Sequence, residues 1–384
     1  MYPFFSSSRL KKSLESRGGA ILKSKGQNFL IDPNAVRLIA SGVFSLLPDS
    51  FSVPMQKDAK SAVIDQDLEA EAQEKGPGLG AKKLHGSARG IETLEFLEIG
   101  PGTGALSFAI WDGLQELAMQ HSDMAIRWVG LELDPVLCSI LSEETIPAWN
   151  SGLEEISERG DQDWRTLASK TWKKKNLELT LHRTDARNWI EHRKHSDPME
   201  SCLRIICGNL PYYISTELLL QSMDLRPDGC AFLVQKEYAL RILETRKSSS
   251  ISVFVRNQMK PEKGASIAKG CFLPPPSVES TVLIMRKIAM QCHPELLEQV
   301  LRKSFSGKRK TMRNSWKNSM ANSEVLELWS LELITRVQTL APWRLELSTR
   351  SQALELWSIE LITRVQTREP WCLELNIRVQ TLEP

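Results

Sequence analysis

The sequence has seven cysteines with no two spaced C-x-x-C, and its six histidines fall at no metal-binding interval. An odd, irregular set of thiols argues against a disulfide framework or a zinc site and for reduced, intracellular cysteines. No apolar run reaches the roughly 18 residues of a spanning helix. The N-terminal MYPFFSSSRLKK has no apolar signal-peptide core. A cytoplasmic chain is expected. An excess of charge of one sign is lacking too, because 49 Lys and Arg oppose 47 Asp and Glu for a net charge of +2. The 384 residues, 41% hydrophobic and 25% charged, exclude collagen, a fully disordered chain and a polytopic membrane protein. The length suggests two or three domains.

The neutral average hides local charge. Residues 1–26 carry Arg9, Lys11, Lys12, Arg17, Lys23 and Lys25 against Glu15, and read as a basic N-terminal arm. Residues 300–320 carry seven Lys or Arg and no acid. Polar stretches at about 52–92 and 150–176 have little apolar area to bury and read as inserts, with Trp164 and Trp172 as packing exceptions. From Trp329, WSLELITRVQT recurs from Trp357 as WSIELITRVQT, with weaker copies from Trp343 and Trp371, a 14-residue unit. Standard helical and solenoid arrays have longer repeats. The tail over 321–384 therefore reads as a recent duplication, poorly folded, or else as a small β-array or partner-binding segment.

Between these regions lie short apolar runs that read as buried strands: Leu94–Ile99, Ile126–Leu133, Leu177–His182, Leu203–Cys207 and Cys230–Val234. Helical stretches follow most of them, at Ala105–Gln120, Pro135–Glu144 and Ser215–Met223. The alternation predicts an α/β fold with a parallel sheet. Residues 293–320 read as helix.

The first strand runs into Gly100-Pro101-Gly102-Thr103-Gly104, a loop that can turn sharply and admit a ligand close to the backbone. It lacks the Lys and Ser/Thr of a P-loop, and Pro101 removes a phosphate-binding N–H. A cationic nucleoside without phosphates, S-adenosylmethionine, fits better. Glu132 at the second strand tip reads as a ribose ligand or a solvated acid. Asp134 before Pro135 reads as a helix N-cap. Asp185 brings a third carboxylate to the same sheet edge. After the fourth strand comes Asn209-Leu210-Pro211-Tyr212-Tyr213. The lone pair of an adenine amine is delocalised into its ring. An amide oxygen and a backbone carbonyl accepting its N–H bonds would localise that pair, while an aromatic stacks on the flipped base. The plain alternative is a turn with a packed tyrosine.

These segments, with Lys25-Gly26-Gln27-Asn28-Phe29-Leu30, Phe272-Leu273-Pro274-Pro275-Pro276-Ser277-Val278 and Phe305-x-x-Lys308-Arg309-Lys310-Thr311, resemble the rRNA adenine N6,N6-dimethyltransferases of the KsgA type. The resemblance covers roughly residues 20–320. It implies a Rossmann-like methyltransferase domain over 27–287 with helices on both faces, and a small C-terminal helical RNA-binding domain, partial here, over 288–320. The implied reaction is dimethylation, from S-adenosylmethionine, of two adjacent adenosines in the 3′-terminal hairpin of small-subunit (16S) rRNA during ribosome biogenesis. The implied partner is a preassembled subunit met by a monomer, with no metal and no membrane. Asn28, Leu30, Gly100, Glu132, Asp185 and Asn209 match cofactor contacts. Asn209 and the Pro211 carbonyl match the acceptors of the target amine, and Tyr212 the stacking aromatic; Tyr213 is expected only to pack. Lys23, Lys25, Lys308, Arg309 and Lys310 are the RNA-binding candidates. Two other readings stand beside this one: an Erm-type large-subunit methyltransferase, disfavoured by Leu210 and Lys308–Thr311, and a non-catalytic assembly factor.

Overall fold

A computed structural model of the chain describes residues 2–21, 27–51, 53, 90–149, 152–156, 169–194, 201–244, 249–290, 294, 297–298 and 301–302. The chain divides into two units, Met1–Ala239 with Glu262–Lys287, and Leu240–Pro261 with Ile288–Pro384.

The elements run α1 (Ser7–Glu15), β1 (Phe29–Leu30), α2 (Pro33–Phe44), β2 (Thr93–Ile99), α3 (Ala105–Gln120), β3 (Ala125–Glu132) and α4 (Pro135–Ile140). A widened turn at Leu141–Thr145 leads into α5 (Ile146–Trp149), β4 (Glu154–Glu155), β5 (Ser169–Lys174) and β6 (Leu177–Arg183). Then come α6 (Ala186–Arg193), β7 (Cys202–Asn209), α7 (Ser215–Asp224), β8 (Gly229–Gln235), α8 (Lys236–Leu243) and α9 (Ser250–Arg256). The described strands close with β9 (Met259–Ile267), β10 (Phe272–Leu273) and β11 (Ser280–Lys287).

The main sheet has the order β4-β5-β6-β3-β2-β7-β8-β11-β9. Its centre, from β6 to β8, is parallel. All seven residues of β2 are buried, as a strand covered on both faces requires. Glu95 is held in this interior by Arg204 at 2.6 Å and Arg193 at 3.2 Å. Glu98 accepts from the Trp128 indole at 2.9 Å. Helices cover both faces; α2 packs with α3, and α6 with α7. The fold is α/β, as the alternation implied, but the sheet is mixed: β11 runs antiparallel to β8, and β5 antiparallel to β6.

Two regions differ from their sequence reading. Residues 169–174, inside the stretch read as a polar insert, form β5, with Trp172 and Lys170 turned inward and buried. Residues 2–21 are no free arm, because Tyr2, Phe4, Leu10 and Leu14 belong to the main core. Arg17 is ion-paired with Glu143 and Glu144 at 2.8 and 2.7 Å, so it is not free for nucleic acid. Most of the 52–92 insert and the repeat tail lie outside the described residues.

In the second unit, Arg256 on α9 donates to the carbonyls of Ile242 and Leu243 at 3.2 and 2.6 Å. Val253 joins Leu297 and Leu301 in a small apolar cluster.

Candidate cofactor and base-binding site

Asp32 caps α2 by accepting from the amides of Asn34 and Ala35, both at 2.8 Å, with Pro33 in the first helical turn. This fixes the segment just before it. There β1 pairs with β10, setting Phe29 opposite Leu273 and Leu30 opposite Phe272. Two motifs separated by some 240 residues in sequence thus become neighbours. Asn28 is tied inward as well: its backbone carbonyl accepts from the Asn209 Nδ2 at 3.0 Å. The 27–30 segment thereby closes a cleft of about 260 Å³ at the carboxyl ends of β2, β3, β6 and β7.

The glycine loop forms the floor. Gly100 and Gly102 hold φ of +65° and +63°, a left-handed conformation that glycine adopts freely. A Cβ on Gly100 would meet no heavy atom within 4 Å, so this backbone faces open space in the cleft. At the end of β7, a Cβ on Gly208 would come within 2.3 Å of the Ile99 carbonyl, and glycine alone allows that approach.

The acids gather as expected from their strand ends. Glu132 accepts from the Gly102 amide at 3.0 Å and the Asp134 amide at 2.9 Å, and so joins loop to strand tip. Burial is the main force pushing its carboxyl up to about 7. Glu98, also lining the cleft, is pushed up to about 7, again chiefly by burial. Asp134 caps α4 by accepting from the Val136 amide at 2.9 Å. Asp185 caps α6 and is held by Arg187, whose Nη2 lies at 2.7 Å. That bond keeps the Asp185 carboxyl below its usual range despite some burial.

Asn28, Leu30, Gly100, Glu132, Asp185, Asn209 and Pro211 therefore line one cleft. Residues 81–351, well over half of the chain, match the model of the ribosomal RNA adenine dimethylase family. The chain belongs to that family. The ribosomal RNA small subunit methyltransferase A of Pseudomonas fluorescens (strain Pf0-1) is 29% identical over 239 residues, 60% of this chain and 72% of that protein. The protein of the same description from Staphylococcus aureus (strain bovine RF122 / ET3-1) is 25% identical over 339 residues, 84% of this chain and 85% of that one. Among solved structures, a dimethyladenosine transferase from Plasmodium falciparum is 22% identical and covers 63% of this chain and 72% of that one, with a TM-score of 0.39.

Within this family member, two features depart from the sequence reading, and Tyr212 is placed beside the cofactor cleft. Tyr212 does not line the cleft; its phenol bonds the Ser280 hydroxyl at 2.6 Å and its ring is half-buried. Tyr213, expected only to pack, is 69% exposed and does line the cleft. The Pro211 carbonyl already accepts from the Ser215 hydroxyl at 2.9 Å and the Ile214 amide at 3.2 Å, so it must release one to serve a substrate amine. Sequence reasoning also missed Leu133, Arg187 and Glu98 as lining residues. Leu133 had a usable signal: an apolar residue between two acids at a strand tip, here 65% exposed. Lys23, Lys25, Lys308, Arg309 and Lys310 lie outside the described residues. Among the described residues, no group of three or more His, Cys, Asp or Glu gathers as metal ligands, and no helix is long and apolar enough to cross a membrane.

Proposed function

We propose that this chain dimethylates the N6 of two adjacent adenosines in the 3′-terminal hairpin of small-subunit rRNA, using S-adenosylmethionine, during subunit biogenesis in the cytoplasm. The observation that carries the reading is the Asn209 amide, pinned through its nitrogen at the rim of a cleft whose floor is open glycine backbone. The donor set fits the cofactor. Glu132 has acceptor capacity beyond its two backbone bonds for a ribose diol, and Asp185 stands at the next strand end for the adenine. Leu133 and Pro135 supply an apolar wall, and Glu98 and Glu132 suit a cation.

When bound, S-adenosylmethionine supplies a methyl carbon on a sulfonium that is already a good leaving group. The chain's own part is positioning and charge. Asn209 Oδ1 accepts from the target amine and aims its lone pair. Tyr212, held by Ser280 beside the cofactor cleft and not in its lining, is the aromatic assigned to stack on the flipped base. The amine attacks neutral and sheds its proton afterwards, so no strong base is required. Lys23, Lys25 and Lys308–Lys310 take rRNA phosphates, which makes binding steeply salt-dependent.

A pH effect follows from the two raised acids. Ionising Glu98 and Glu132 inside the fold costs stability. Their contribution is fully present below the ordinary carboxylate range and is lost as pH rises through about 7. A cationic ligand opposes that loss. Its affinity is expected to tighten up to about tenfold between about pH 6 and 8, by calorimetric titration, with a shallower slope in Glu98→Gln. A flat profile would remove these acids from cofactor binding.

The reading is tested by incubating the full chain with labelled S-adenosylmethionine and under-methylated small or large subunits. Label in the small subunit is expected. Label in the large subunit supports the Erm-type reading, and cofactor binding without incorporation supports the assembly-factor reading.

A further inference from the structure

The N-terminal segment ends on the cofactor loop. The Tyr2 phenol is 4% exposed and lies 2.7 Å from the Thr103 hydroxyl and 3.2 Å from the Thr103 carbonyl. Both bonds form together when the threonine hydroxyl donates to the phenol oxygen and the phenol donates to the carbonyl. Thr145 donates to the same carbonyl at 2.8 Å. Thr103 sits between Gly102 and Gly104, which hold φ of +63° and +86° and, lacking side chains, leave the threonine as the residue through which this stretch can be held. Such a loop keeps one shape only where outside groups hold it.

The segment is itself anchored twice. Tyr2 packs edge-on against Phe4, Phe5 and Phe108, and Phe4 and Leu10 are fully buried. Further along, Ser13 bonds Glu144, and Arg17 bridges Glu143 and Glu144. These acids lie on the same widened turn, Leu141–Thr145, that supplies Thr145. The 2–17 segment and this turn are thus joined at one end by Ser13 and Arg17, and at the other each places one residue, Tyr2 and Thr145, on Thr103.

We infer that residues 2–17 form a brace that holds the glycine loop in its cofactor-binding shape, with Tyr2 a positioning residue acting through Thr103. The inference rests on the reading of the cleft as an S-adenosylmethionine site. Preorganising a loop strengthens binding by removing the ordering cost from the binding step. The brace therefore governs cofactor affinity and leaves the transfer step at saturation unchanged.

The test is Tyr2→Phe in the full chain, which keeps the ring and its packing and deletes only the hydroxyl. By titration calorimetry, the dissociation constants for S-adenosylmethionine and S-adenosylhomocysteine are expected to rise about fivefold, the equivalent of about 1 kcal/mol, for the two hydrogen bonds the hydroxyl makes to Thr103. In turnover, KM for the cofactor should rise with kcat within about twofold. Thr103→Val, which keeps the bond to the backbone carbonyl, should reproduce part of the loss, and the double variant should fall little below Tyr2→Phe alone. A lower unfolding midpoint with unchanged cofactor affinity would reduce Tyr2 to a packing residue and overturn the brace. If the unaltered chain binds neither probe, the cofactor reading fails instead, so the two failures are distinguishable.

Discussion

Replacing Asn209 by Ala is expected to lower kcat for methyl transfer about 100- to 1,000-fold, the equivalent of about 2.7–4 kcal/mol for one aimed polar group. The size follows from how the amide is held. Its nitrogen donates to the Asn28 carbonyl, a partner that only a donor can face, so the orientation of the amide is set by its neighbour. The opposite atom, Oδ1, is then the one offered to a substrate amine. With the Pro211 carbonyl engaged by Ser215 and Ile214, Asn209 carries more of the acceptor role than a two-acceptor site would assign it. Single-turnover methylation with saturating cofactor isolates this step. Asn209→Asp keeps an acceptor but turns a carboxylate oxygen toward the Asn28 carbonyl, so it should rescue little. Wild-type turnover in Asn209→Ala would remove the amide from the reaction.

Glu132→Ala is expected to raise the dissociation constant for S-adenosylmethionine about 100-fold, near 2.7 kcal/mol. Two losses combine. The ribose loses its acceptor, at about 1.5–3 kcal/mol for hydrogen bonds to a charged group. The Gly102 and Asp134 amides also lose their partner, which frees the glycine loop and the strand tip together. Glu132→Gln should fall between the two, since its amide keeps one acceptor but sets an NH₂ against a backbone N–H. Calorimetric titration beside a thermal melt separates the terms. The alanine variant orphans two amides but also removes an acid whose ionisation costs stability, so its melting temperature should fall less at pH 8 than at pH 5.

What the sequence made legible was the site's acids and the core strands. Glu132, Asp134 and Asp185 stand at strand ends because the apolar-rich stretches Ile126–Leu131 and Leu177–Leu181 end within a few residues of them. The capping of α4 was readable from Asp134-Pro135 alone. The outer strands were hidden for physical reasons. In β5, SKTWKK, second from the edge beside the two-residue β4, three lysines among six residues read as loop. In β9, Pro261 and Gly264 suggest a turn, yet this strand is last in the sheet order, where such residues are tolerated. The N-terminal segment reads as a basic arm because six basic residues outweigh Tyr2, Phe4, Leu10 and Leu14, and the partner of Tyr2, Thr103, lies 101 residues away. The place of Tyr213 in the cleft lining was not readable, because it depends on Tyr212 being held by the Ser280 hydroxyl, 68 residues along the chain.

The central claim is that this cleft dimethylates small-subunit rRNA at adenine N6. The most direct measurement is nucleoside mass spectrometry on under-methylated small subunits after reaction with the full chain and S-adenosylmethionine, with each modified position mapped along the rRNA. N6,N6-dimethyladenosine is expected at two adjacent positions near the 3′ end, and at about 1% of that level or less, at equal early times, with the Asn209→Ala variant. Dimethyladenosine confined to large-subunit rRNA, or no modified adenosine from a chain that binds the cofactor, would contradict it.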